Sequence, residues 1–116
     1  MNFNRGLFLN YPIKDFIQKE ILKKFNEKYK LNIKDTKINE LDLEDNDLGN
    51  EGLKELCKIN FKELKALGLY KNNISDIKVL EKAEFEKLEL LDLSENKLNK
   101  IQNKLIISKM KSILKI

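Results

Sequence analysis

The sequence predicts an α/β fold, a short repeat solenoid with a helical segment ahead of the repeats. Three observations predict it: an apolar spacing that restarts at residues 38, 64 and 88, an asparagine at the same place in each copy, and an amphipathic stretch from Pro12 to Tyr29. A chain of 116 residues suffices for one such domain to bury most of the apolar surface that its unfolded form exposes. The hydrophobic share of 41% is too high for a disordered chain, and the charged share of 36% implies a heavily solvated surface.

Internal periodicity comes first, because it overrides local assignments of helix or strand. Ile38, Leu41, Leu43, Asn46 and Leu48 set a spacing that Leu64, Leu67, Leu69, Asn72 and Ile74 repeat, and that Leu88, Leu91, Leu93, Asn96 and Leu98 repeat again. Within it, Leu41 and Leu43 flank Asp42, so on an extended segment the leucines point to one face and the aspartate to the other. Leu67 and Leu69 flank Gly68, and Leu91 and Leu93 flank Asp92, in the same way. At Asn46, Asn72 and Asn96 the chain turns, and a side-chain amide there offers donors and an acceptor to backbone groups that the bend leaves unpaired. Stacked, the three form an asparagine ladder. Phe61 and Phe85 precede the second and third copies, and Met110 takes the equivalent place before Ile113 and Ile116, where a fourth copy begins.

The three segments spell an L-x-x-L-x-L-x-x-N-x-L core, and residues 38 to 116 resemble the leucine-rich repeat family. The resemblance implies a right-handed solenoid with a parallel inner sheet and outer helices or shorter turns. Its boundaries are an N-terminal helical cap over 1–37 and repeats over 38–63, 64–87 and 88–112, with an incomplete fourth at 113–116. The outer segments differ. Leu48 to Cys57 resembles the ribonuclease-inhibitor type, with Gly52 near a helix start, Leu53 and Leu56 at helical spacing, and Cys57 as a core filler. Ile74 to Leu80 resembles the shorter type, continued by a polar helical stretch up to Phe85, with Ser75 or Asp76 as its cap. In the third copy Ile101, Leu105 and Ile106 are the expected buried residues.

A solenoid needs covered ends, since each open end shows core that a neighbour would bury. Ile13, Phe16, Ile17, Ile21, Leu22, Phe25 and Tyr29 recur every three or four positions, which predicts an amphipathic helix. Pro12 suits its first position and Asn10 lies near the cap. We read this helix as an N-terminal capping helix, with Leu31 and Ile33 adding an edge strand; a partner-binding helix is the rival reading. At the other end Ile106, Ile107, Met110, Ile113, Leu114 and Ile116 stand where a polar cap is expected. A truncation or a minimal last strand accounts for them, as does self-association through the C-terminal edge. Lys104, Lys109, Lys111 and Lys115 interrupt the run and argue against a membrane anchor.

In the family, recognition falls to the strand residues between the buried leucines. Carried over position by position, these are Glu40, Asp42, Glu44 and Asp45; Ala66, Gly68, Tyr70 and Lys71; and Leu90, Asp92, Ser94 and Glu95. The grid holds six acids and one base, a sum of −5, so the rest of a chain of net charge +4 carries about +9. Such a face repels phosphate and attracts a protein or peptide with a basic surface. Tyr70 at its centre is an aromatic anchor of the kind binding sites favour. The plainer reading is that the carboxylates keep a small open sheet soluble, and the structural alternative is a spacer fragment of a larger repeat protein.

Other classes find less support. The chain has no histidine, one cysteine, and neither a phosphate-binding glycine loop nor a G-x-S-x-G motif, so no catalytic residue, cofactor site or metal site is expected. Asp42 and Asp92 belong to non-adjacent copies and should stand roughly 10 Å apart, a spacing that would suit an inverting glycosidase, with no cleft predicted to serve them. Asp42, Glu44, Asp45 and Asp47 are clustered hard ligands for calcium but lack the glycine-centred EF-hand loop. Arg5 is the only arginine, which weighs against nucleic-acid binding through the Lys-rich outer side. Neither a secretory signal nor an apolar run of about 20 residues is present, so a cytoplasmic protein without a membrane partner is expected.

Overall fold

The computed structural model describes residues 4–116, with side chains from residue 13 onward. These residues belong to two compact units, Met1–Asp35 and Thr36–Ile116.

The first unit is built on helix α1, Asn4–Tyr29. Pro12 and Asn10 therefore lie inside the helix, not at its start; the leucine-bearing segment upstream favours helix, and the backbone bond that proline cannot donate does not end it. Ile13, Phe16 and Ile17 are exposed, whereas Leu22 and Phe25 are buried and the Phe25 ring meets that of Tyr29 at 4.9 Å. The helix ends in a Schellman turn: Lys30 takes a left-handed φ of 56°, and the Leu31 N–H donates to the Asn26 carbonyl at 2.9 Å. The Asn26 side chain then accepts from the Ile33 N–H and donates to the Ile33 carbonyl, at 3.0 and 2.9 Å. Leu31 and Ile33 are thus held in a loop, and the expected edge strand is absent; a side-chain amide has taken the backbone groups that a strand would have paired.

The second unit is a parallel four-stranded sheet in the order β1-β2-β3-β4, with β1 Glu40–Asp42, β2 Ala66–Gly68, β3 Leu90–Asp92 and β4 Leu114–Lys115. Leu41, Leu67 and Leu91 stand side by side across the first three strands, as the periodicity predicts. Between strands the chain returns through helix α2 (Gly49–Leu56), a 3₁₀ segment (Lys78–Lys82) and helix α3 (Lys104–Lys109). Burial follows the stacking. Leu64, Leu67, Leu69 and Ile74 of the middle copy are fully buried, as are Leu43 of the first and Leu91 and Leu93 of the third, while Ile38, Leu41, Leu88 and Leu98 are half-buried. Phe61 closes the core beneath β2 and faces Phe85 at 6.4 Å between ring centres.

The asparagine ladder is built as the spacing requires. Asn72 Oδ1 accepts from the N–H of Asn46 and of Leu48 at 2.9 and 3.2 Å, and its Nδ2 donates to the carbonyls of Leu43 and Tyr70 at 2.8 and 3.3 Å. Asn96 does the same one copy later, accepting from Asn72 and Ile74 and donating to Leu69. Asn46, at the first rung, donates to the Glu44 carbonyl.

The outer segments depart from expectation in four places. Gly52 sits within α2, buried, and not at its start; the turn into the helix is made by Gly49, whose φ is +65°. The return after β2 is 3₁₀ and stops at Lys82, without reaching Phe85. Its entry is shaped by Asp76, which accepts from the Lys78 N–H at 3.0 Å, and by Asn103 of the next copy, which accepts from the Ile77 N–H at 2.9 Å. Ile101 and Leu105 are 88% and 76% exposed, and only Ile106 of the three expected residues is buried. Asn103, at the N-cap of α3, explains the difference for the helix: it is buried to bond Ile77 and the Ser75 carbonyl, and at about 100° per residue that sets Ile106 inward and turns Leu105 away, while Ile101 lies in the turn ahead of the helix. Finally, the Ile113 N–H bonds the Met110 carbonyl as Leu64 bonds Phe61 and Leu88 bonds Phe85, yet Leu114 stands beside Leu91. The strand begins two residues sooner after the turn than in the earlier copies, so Ile116 does not occupy the place beside Leu91.

Candidate partner-binding face

The strand residues that alternate with the buried leucines share the open face of the sheet. Glu40, Ala66 and Leu90 form one row and Asp42, Gly68 and Asp92 the next, by strand register. These six, with Glu44, Tyr70 and the strand residues Leu41 and Leu67, line one depression of about 320 Å³. Eight of the twelve grid residues thus converge. Asp45, Lys71, Ser94 and Glu95 do not line it. Asp45, Lys71 and Glu95 share a left-handed backbone, φ 54°, 55° and 57°, which carries the chain off the sheet and into the asparagine turn.

Gly68 forms the floor for a steric reason. A Cβ there would stand 3.1 Å from Asp42 Oδ1, so the missing side chain leaves the space into which Asp42 leans. Asp42 is steadied by the Glu44 N–H, which donates to its Oδ1 at 3.0 Å, and Asp92 by the Ser94 N–H at 2.9 Å. Each carboxylate is thus oriented by its own strand end. Burial by itself raises the Asp92 pKa, but the hydrogen bonds from Ser94 and the charge of Lys115 outweigh it and hold the carboxyl below its ordinary value. Lys115 lies 3.9 Å from Asp92 because β4 brings it alongside. The sequence grid omitted this lysine, since a two-residue register change cannot be read from spacing.

Glu40, Asp42, Glu44 and Asp92 all contribute carboxylates to the depression, and no cationic side chain lines it. Lys71 pairs with Asp45 at 3.9 Å, outside it. Leu90, 48% exposed, and Tyr70 supply apolar surface among the acids. Asp42 and Asp92 have Gly68 between them in the register, a separation of roughly 10 Å between their strands. Among the described residues, no group of three or more histidine, cysteine, aspartate or glutamate side chains is placed to hold a metal ion, and this includes Asp42, Glu44, Asp45 and Asp47. Cys57, at the C-terminal end of α2, is half-buried, not a full core residue, and loss of solvation pushes its thiol pKa up to about 12. It is therefore a protonated thiol at neutral pH.

The periodicity reading also missed two asparagines of the outer loops. Asn50 Oδ1 accepts from the N–H groups of Ser75 and Asp76, and Asn103 from that of Ile77, so a second line of side-chain amides runs parallel to the first. Neither recurs at a fixed offset, so no repeat signal marks them.

A family model described as Leucine Rich repeat matches residues 34–57, the stretch that holds β1, the first ladder asparagine and α2. That stretch is similar to a leucine-rich repeat. No curated protein and no solved structure matches it. Leucine-rich repeats generally mediate protein–protein interaction and are typically non-catalytic. Among the described residues, no helix is long and apolar enough to cross a membrane.

Proposed function

We propose that this protein is a non-catalytic interaction module of the cytoplasm, a scaffold element that binds a basic or polar protein surface on the acidic open face of its sheet. The observation that carries the reading is the gathering of Glu40, Asp42, Glu44 and Asp92 around one depression whose lining has no cation. Carboxylates arranged this way attract positive surface over a Debye length of about 8 Å and disfavour phosphate-bearing ligands. Tyr70 and Leu90 supply the apolar contact that such an encounter needs to persist. Three short strands offer less area than the ~800 Å² per partner of an ordinary stable interface, so the complex is weak and reversible.

Capture of partners by the intact chain and by a Glu44→Lys, Tyr70→Ala double variant tests the reading. Glu44 is exposed and Tyr70 half-buried, so the variant should retain the fold, which circular dichroism checks. Partners lost by the double variant are expected; partners captured equally by both forms would move recognition off this face.

A further inference from the structure

We infer that the acidic depression of one molecule receives the Ile101 and Leu105 surface of a second copy, so that the chain associates head to tail. The inference rests on the proposed reading of the depression as a site for a basic protein surface, and it names the partner.

Ile101 and Leu105 are the most exposed large apolar side chains among the described residues, at 88% and 76%. Leu105 is exposed on α3, and Ile101 is exposed four residues earlier, in the turn that leads into that helix. Exposed Lys97, Lys100 and Lys104 surround them in sequence, and no aspartate or glutamate occurs from Asn96 to Ile116. Lys109 is tied to Glu81 at 2.7 Å, which leaves Lys97, Lys100 and Lys104 without an acidic partner among the described residues. The depression is the complement. Its carboxylates at Glu40, Asp42 and Glu44 have no basic partner among the described residues, and its floor at Ala66 and Gly68 and rim at Tyr70 and Leu90 offer apolar contact to aliphatic side chains.

The two surfaces lie on opposite sides of the repeat unit. The depression opens on the free face of the sheet; α3 packs beside the 3₁₀ segment, on the side toward which Leu67 and Leu91 are buried. One molecule cannot join its own two surfaces, and each contact leaves one of either kind free. The association is therefore heterologous and extends to further copies. Charge steers it and the area is small, so it weakens on dilution and with added salt.

Sedimentation velocity of the whole chain over a range of concentrations, at low and high salt, tests the inference. The average mass is expected to rise with concentration at low salt and to fall on adding salt. An Ile101→Ser, Leu105→Ser variant and a Glu40→Lys, Glu44→Lys variant should each remain monomeric, weakening association at least tenfold. Mixed together they should form a pair and nothing larger, because one retains an intact depression and the other an intact apolar surface. A wild-type chain that stays monomeric up to about 1 mM overturns the inference, as does association that survives Ile101→Ser, Leu105→Ser, or a chain that stays monomeric and sediments with anionic phospholipid vesicles. Binding of a Lys-rich peptide, lost on Glu40→Lys, Glu44→Lys, would in any of those cases leave the reading of the depression standing.

Discussion

At the scale of the residue, the ladder asparagines carry unequal loads. Asn72 is fully buried and serves four backbone groups from two copies, whereas the Asn46 side chain is half-exposed and donates once, to Glu44. Leaving a buried polar group unpaired costs about 1–3 kcal/mol, and water can replace only the outer bond. Asn72→Ala should therefore lower the unfolding free energy by about 3 kcal/mol and Asn46→Ala by about 1 kcal/mol or less. Urea unfolding of the two variants measures this; equal losses would mean that the rungs are not graded by burial.

At the scale of the element, Gly68 separates what stabilises β2 from what shapes the open face. A β-branched residue suits a strand better than glycine does. The same residue at this position would meet Asp42 Oδ1 and displace the carboxylate from the floor of the depression. Gly68→Val should thus leave the melting temperature unchanged or higher, while weakening capture of a basic partner several-fold. Thermal melting and a binding titration on one preparation decide it: a variant that binds as well as the parent would show that Asp42 is not placed by the absence of a Cβ. α3 teaches a related lesson. Its apolar residues are spread around the helix, and Asn103, whose amide is needed at Ile77, selects which of them face the core.

At the scale of the whole molecule, the acid face sits in a chain with 23 basic and 19 acidic residues, so protonating the carboxylates leaves a large positive charge that repels itself. Asp92 is part of that response. Its pKa in the folded chain lies below the ordinary value, so it contributes stability that is fully present above the unfolded pKa and is lost as pH falls through the folded one. The window lies below roughly pH 4. Asp92→Asn should flatten the acid limb of a plot of melting temperature against pH there and change little near neutrality beyond a constant offset. An unchanged acid limb would show that the bonds from Ser94 and the charge of Lys115 do not stabilise the ionised form.

By itself the sequence determined the spacing of Leu41, Leu67 and Leu91, the strand alternation around Asp42, Gly68 and Asp92, and the three ladder asparagines. Each depends on the local period of the backbone, which a repeat copies with every turn of the chain. Most of the residues around the depression were legible for the same reason, as positions left over between leucines. Tertiary structure decided what periodicity does not encode. Contacts between copies set the inward face of α3 and hence the exposure of Leu105, the register of β4 that brings Lys115 to Asp92, and the roles of Asn50 and Asn103. Those contacts join residues some 25 positions apart, such as Asn50 and Ser75, and their outcome depends on which side chain wins a shared set of backbone groups.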